Sequence, residues 1–306
     1  MWASTSPKGT AETMSITSTR IATQARTWVI LAGLMALFIG IGGLFGGSSG
    51  IILFAGIAVL FNLFMFWKSA ALALRASKAR QLEQSEAPEL FRDIEEIAGR
   101  AGVPMSTVHL IPSEQPNAFA TGRSPKHSAV AVTEGLLKYL PRDQVKGVLA
   151  HEMAHIANRD ILVMTIAAMI GAAISAIANI LQFSMLFGGD DRDNPLGAIG
   201  AIVAIIVAPI AAMILQLAVS RQREYLADAT AAQYLGEARP LAEALGTLQR
   251  GTDALPMNVN PATEALYIAN PLSKRGFAAL FSTHPPMEER IRRLRALDAA
   301  HGIHYG

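Results

Sequence analysis

Cysteine is absent from the 306 residues, which excludes disulfides and thiolate metal sites; any metal must be held by histidine and carboxylate. Charge is scarce too. Only 16% of the residues are Asp, Glu, Lys or Arg, whereas a soluble domain carries about 25%. Hydrophobic residues make up 51%, the composition of a membrane protein. The net charge of +2 is too small to argue for nucleic acid, and the basic residues gather beside apolar stretches. Internal repeats are missing as well.

Between Trp28 and Trp67 there is no charged residue at all. As one helix this run would be about 60 Å long, roughly twice the hydrocarbon thickness, so it must fold back once. Gly46-Gly47-Ser48-Ser49-Gly50 supplies the turn, giving spans near 28–46 and 50–67. A second pair follows, Ile161–Phe187 and Leu196–Val219, separated by a polar tip from Gly188 to Pro195. Four transmembrane helices in two hairpins are expected, and uncharged runs of this length do not suit the core of a soluble protein.

Lys and Arg placement sets the orientation. Arg20 and Arg26 precede the first span, and Lys68, Arg75, Lys78 and Arg80 follow the second. Arg159 precedes the third, and Arg221 and Arg223 follow the fourth. The two tips share one Arg, set among three Asp. Both termini and the region between the hairpins are therefore expected on the cytoplasmic side of a lipid bilayer. Residues 1–27, rich in Ser, Thr and Ala, read as a flexible N-terminal arm. They do not read as a cleavable signal, because the first apolar run starts late and continues into a second span.

The polar segments 68–160 and 220–306 are expected to form the two parts of one catalytic domain. A helix should run on from the second span to about Gln84, and another from Pro88 to Arg100 with Gly102 as its stop. Thr107–Ile111 and Ser128–Val132 read as strands, with turn residues over Pro116–Pro125. Thr133 should cap a helix over Glu134–Tyr139. The fold class is α+β, helix-dominated.

Pro141 opens a further helix carrying His151-Glu152-Met153-Ala154-His155. Histidines four apart share one helix face and can reach one ion. Glu152 then points at the open coordination position, where a carboxylate can deprotonate water. A catalytic zinc needs a third protein ligand. Glu224 is the candidate, with Asp228 one turn on placed to accept a hydrogen bond from a ligand imidazole. A solvated Glu224 paired to nearby Arg is the alternative on spacing alone.

The runs H-E-M-A-H-I-A-N-R-D, S-R-Q-R-E-Y-L-A-D and Ser282-Thr283-His284-Pro285-Pro286-Met287-Glu288-Glu289-Arg290-Ile291 resemble those of the HtpX-type membrane proteases. These are gluzincins related to the prenyl-protein CAAX type I endopeptidases. The resemblance spans about residues 25–298. It implies a zincin-like cytoplasmic catalytic domain in the bacterial inner membrane, with one Zn2+ per chain on His151, His155 and Glu224 and Glu152 as general base. It also implies that His284 and Arg290 approach the active site to stabilise the oxyanion or gate the zinc. On residue pattern alone, His284 is equally a helix cap. The long N-terminal arm and the tail with His301 and His304 depart from the family pattern, and His109 and His127 read as surface residues.

Ser128–Val132, within the segment that begins at Asn117, has the composition of an edge strand that could pair with an extended substrate, or of a plain structural strand. Six residues separate His155 from Ile161, about 9 Å of helix, so the metal site should lie at the membrane surface. Membrane-protein or unfolded-protein substrates are the expected partners, in protein quality control or stress response. Two rivals are a catalytically silent zinc-binding scaffold, which the intact Glu152 disfavours, and a four-helix transporter. Transport usually needs ionisable residues within the spans, and these have none.

Overall fold

The computed structural model describes residues 8–169, 221–255, 266–269 and 285–300. Most of the second apolar pair therefore lies outside the described residues, as do His284, His301 and His304.

Helix α1 (Lys8–Ala76) breaks at Gly47, where φ 56 and ψ −140 reverse the chain. The fold-back is thus where the Gly/Ser run placed it. The two arms meet so closely there that a Cβ on Gly50 would strike the Gly42 carbonyl oxygen. In place of a loose arm the helix starts at Lys8. No Pro or Gly interrupts residues 10–27, and their Ala, Met, Gln and Arg favour helix. The second arm, Gly46–Ala76, is long and apolar enough to cross a membrane, with a mean hydropathy of 2.3. Only 11% of its most apolar window is buried, whereas a core helix of a soluble protein would be mostly buried.

α1 ends at Ala76, short of Gln84, and Arg80–Gln81 (β1) then joins a sheet with Thr107–Ile111 (β2), Ala118–Ser124 (β3) and His127–Thr133 (β4). The order is β1-β2-β4-β3, with β2 and β4 parallel and the outer pairs antiparallel. β4 is therefore an interior strand, and among the described residues the edges are β1 and β3, the latter disguised in the sequence as a turn region. Its two Ala and its Gly have little β propensity, and burial of Ala118 to Thr121 holds it instead. His127 is exposed as expected, but His109 in β2 is only half-exposed.

Helix α2 (Pro88–Ala101) stops at Gly102 in the left-handed region, φ 65. Thr133 caps α3 (Glu134–Tyr139), its Oγ1 accepting from the Leu136 N–H at 3.0 Å. The central element is α4 (Arg142–Asn158), buried continuously from Gly147 to Asn158. It packs against β3, α2, α5 (Arg221–Leu235) and α6 (Arg239–Ala254). Gly147 is the point of closest approach to α6: a Cβ there would stand 2.7 Å from the Leu241 nitrogen. Arg142 anchors the start of α4 by donating twice to Asp93, at 3.1 Å each. A last helix, α7 (Met287–Ala300), closes on α5 and α6 through Leu294.

Candidate metal centre

α4 brings His151 and His155 together with their Nε2 atoms 3.1 Å apart, both side chains almost fully buried. α5 delivers Glu224 from the opposite side. Its Oε2 lies 3.5 Å from His151 Nε2 and its Oε1 3.6 Å from His155 Nε2. Three donors at these separations match the edges of a tetrahedron with bonds of about 2.1 Å, the coordination zinc takes from imidazole and carboxylate. The donor set therefore fits zinc. Metal-ligand chemistry also requires each imidazole to present an unprotonated nitrogen, and the neighbours arrange this. His151 turns Nδ1 to Asp228 Oδ1 at 3.0 Å, and His155 turns Nδ1 to Asp160 Oδ2 at 3.0 Å. Each carboxylate fixes the Nδ1–H tautomer and leaves Nε2 facing Glu224.

Asp228 was expected from the sequence; Asp160 was not. It reaches His155 because Arg159 adopts φ 63 and turns the chain back at the end of α4, so that the Asp160 N–H also donates to the His155 carbonyl at 3.2 Å. Arg223 of α5 completes this side, its Nε 3.6 Å from Asp160 Oδ2. A left-handed residue other than Gly leaves little trace in the sequence.

Arg290 is wholly buried and forms a fork on Asp228, donating through Nε at 2.9 Å and Nη2 at 2.7 Å. Its Nη1 donates to the Ile268 carbonyl at 3.2 Å and lies 3.7 Å from Glu224 Oε2. So α7 does bring Arg290 to the site, while its partner in the motif, His284, falls outside the described residues.

The electrostatics follow from this crowding of charge. Burial opposes the charged form of His155, but Asp160 and Glu224 outweigh it and push its pKa up to about 9. His151 moves up for similar reasons: burial and Arg290 oppose its charge, and Asp228 and Glu224 favour it more strongly. Burial would raise Asp228, yet the Arg290 guanidinium holds its carboxyl below the usual range. For Glu152, burial raises the carboxyl pKa and outweighs the opposing pull of His151 and His155, while the Ala120 N–H of β3 donates to it. A carboxyl raised above its ordinary range beside two imidazoles is suited to taking and returning a proton.

A His-Glu-x-x-His helix, with a glutamate presented by a later helix and a strand edge alongside, is the architecture of a zinc-dependent peptidase. This chain belongs to peptidase family M48, whose profile matches residues 84–298. It is 48% identical over 275 residues to the protease HtpX homolog of Pelotomaculum thermopropionicum, which covers 89% of this chain and 98% of the relative. It is also 48% identical over 280 residues to the protease HtpX homolog of Pyrococcus furiosus, covering 91% and 97%. Among solved structures, the crystal structure of S. mikatae Ste24p aligns with a TM-score of 0.49 and 22% identity, over 90% of this chain and 65% of that one.

Proposed function

We propose that this metallopeptidase holds one zinc ion on His151, His155 and Glu224 and hydrolyses peptide bonds with Glu152 as general base. Its substrates are membrane or misfolded proteins presented at the cytoplasmic face of the bilayer. The observation that carries the chemistry is the triangle of three buried donors, with each imidazole backed by its own carboxylate. Zinc bound there supplies a Lewis acid for the scissile carbonyl and lowers the pKa of a water. Glu152 takes the proton of the attacking water and returns it to the leaving amine. The Ala120 N–H steers the Glu152 carboxylate, and β3, an edge strand among the described residues whose Ala118 carbonyl already accepts from the Ile268 N–H at 3.0 Å, offers its remaining main-chain groups to an extended substrate. Arg290 acts by positioning: it fixes Asp228, which fixes His151. Oxyanion stabilisation is assigned to His284, carried over from the sequence motif. Glu224→Ala should abolish stoichiometric zinc and cleavage together; full zinc retention in that variant would remove Glu224 from the ligand set.

The membrane part of the reading has four spans in two hairpins, residues 28–67 and 161–219, with both termini and the catalytic parts on the cytoplasmic side. Support comes from the Lys/Arg asymmetry and from exposed apolar side chains on the second arm of α1, among them Ile52, Leu60 and Trp67. The absence of cysteine makes the test direct. A single cysteine at Ser48 or Asn194 should react with an impermeant maleimide in intact cells, and one at Gln249 only after permeabilisation. The reverse pattern would overturn the orientation.

A further inference from the structure

An apolar cavity of about 820 Å³ opens between the two arms of α1, the β3–β4 turn and the helical residues 161–169. Its volume lies within the roughly 300–1,000 Å³ typical of small-molecule sites. α1 lines it with Met35, Val59, Leu63 and Phe66, and with the rings of Trp28 and Trp67. The catalytic domain contributes Arg123, Ser124 and Arg159, and no carboxylate is among the described lining residues. The Arg123 guanidinium lies 4.2 Å from the centre of the Trp67 ring. Arg159 is exposed, as are Lys68 and Lys126, next in sequence to the lining residues Trp67 and Pro125.

We propose that this cavity binds one anionic glycerophospholipid, with an acyl chain along α1 and the phosphate between Arg123 and Arg159. The inference rests on the reading that α1 lies in the bilayer. Four features of the cavity argue for this occupant. Its body is apolar and borders an exposed hydrocarbon-facing helix. Tryptophans of this kind sit at the headgroup level. Two guanidiniums match a phosphodiester better than any neutral headgroup, since they donate in a planar fork. Among the described lining residues no acidic group competes for them. An apolar peptide segment would use the walls and leave both guanidiniums without a counter-charge.

The site is also tied to the metal centre. Arg123 stands near the end of β3, three residues after the Ala120 N–H that donates to Glu152. Arg159 caps α4 four residues after His155 and directly before Asp160. One headgroup held by both arginines clamps the strand edge to the end of the metal-binding helix.

The test uses the full chain carrying Glu152→Gln, which suppresses self-cleavage, in detergent micelles. Native mass spectrometry compares phosphatidylglycerol with phosphatidylcholine of identical acyl chains. With about 1 kcal/mol per basic residue, the anionic lipid should bind about 30-fold more tightly. Arg123→Gln with Arg159→Gln should reduce it to the phosphatidylcholine level, and Lys at both positions should keep most of the preference. Glycerophosphoglycerol, the headgroup without chains, should fail to compete. Equal binding of the two lipids, or a preference that survives the Gln pair, overturns the proposal. Effective competition by the chainless headgroup overturns it in favour of a free phosphate site. Displacement of both lipids by an apolar peptide, indifferent to the arginine variants, overturns it in favour of substrate. Flotation with liposomes separates the two levels: a protein that co-floats without lipid preference lacks this site alone, and one that does not co-float refutes the membrane placement beneath it.

Discussion

Arg290→Met keeps most of the side chain's bulk and removes its charge from a place with no access to water. Asp228 then loses two hydrogen bonds of 2.9 and 2.7 Å and keeps the His151 Nδ1 contact at 3.0 Å. Removing one partner of a buried pair costs about 3–5 kcal/mol, because the other charge is left desolvated. At roughly 2–4 °C per kcal/mol, the unfolding midpoint should fall by about 6–20 °C. The carboxyl of Asp228, no longer held down by the guanidinium, rises under burial and supports His151 less well. Zinc affinity should therefore drop by about 10–100-fold. Asp228→Asn in the same chain should recover part of the stability loss, since the unpaired charge is gone; a coupling of about 2 kcal/mol is expected. Thermal unfolding and zinc competition against a chelator, across the four proteins of the double-mutant cycle, measure both effects. Strict additivity, or an Arg290→Met protein as stable as wild type, would refute the assignment of Arg290 as the anchor of Asp228.

Asp160→Asn should weaken zinc binding by about 10–100-fold through His155 while leaving the fold intact; an unchanged affinity in the chelator competition would show that His155 needs no such support. Gly147→Ala should destabilise the protein by about 1–3 kcal/mol, because its Cβ would lie 2.7–2.9 Å from the Pro240–Leu241 backbone and force α6 away from α4; denaturant unfolding checks this. In metal-free protein His155 has a pKa raised from 6.5 to about 9, so the native state binds its proton more tightly than the unfolded chain. That stabilisation is complete below pH 6.5 and fades by an amount of order 3 kcal/mol as pH rises through 9. Unfolding of chelator-treated protein at pH 6 and 9.5 reads the slope. Zinc must displace the same proton, so its affinity should climb over that window.

The parts of the site that could be read from the sequence are those fixed by helical period. His151 and His155 share a face because they are four apart, and Glu224 and Asp228 repeat that spacing on α5. The orienting carboxylate of His155 escaped notice because it depends on the left-handed turn at Arg159, which no periodicity announces. β3 escaped for a related reason. In its Ala-Phe-Ala-Thr-Gly stretch the strand preference of Phe119 and Thr121 is diluted by Ala and Gly and flanked by Pro116 and Pro125, and what makes it a strand is the burial of Phe119 and its neighbours between β4, α1 and α4. β1 spans two residues and has meaning only as a partner of β2. Arg290 was placed near the site by its motif, but its fork on Asp228 is a product of α5 meeting α7, a tertiary event. The first hairpin was legible because uncharged length and a Gly/Ser turn are themselves the physical constraints. The helix running back to Lys8 went unread because nothing in residues 8–27 is apolar enough in period to suggest it.

Zinc content and peptide cleavage measured side by side for wild type and Glu152→Gln in detergent bear most directly on the proposed chemistry. Glu152 lies beside the ligands without being one of them, so both proteins should carry one zinc per chain. Cleavage by the variant should be slower by about 10²–10⁴-fold, the range for loss of a general base. A variant that cleaves at the wild-type rate with its zinc intact would contradict the role of Glu152, and one that loses its zinc would contradict the ligand set built on His151, His155 and Glu224.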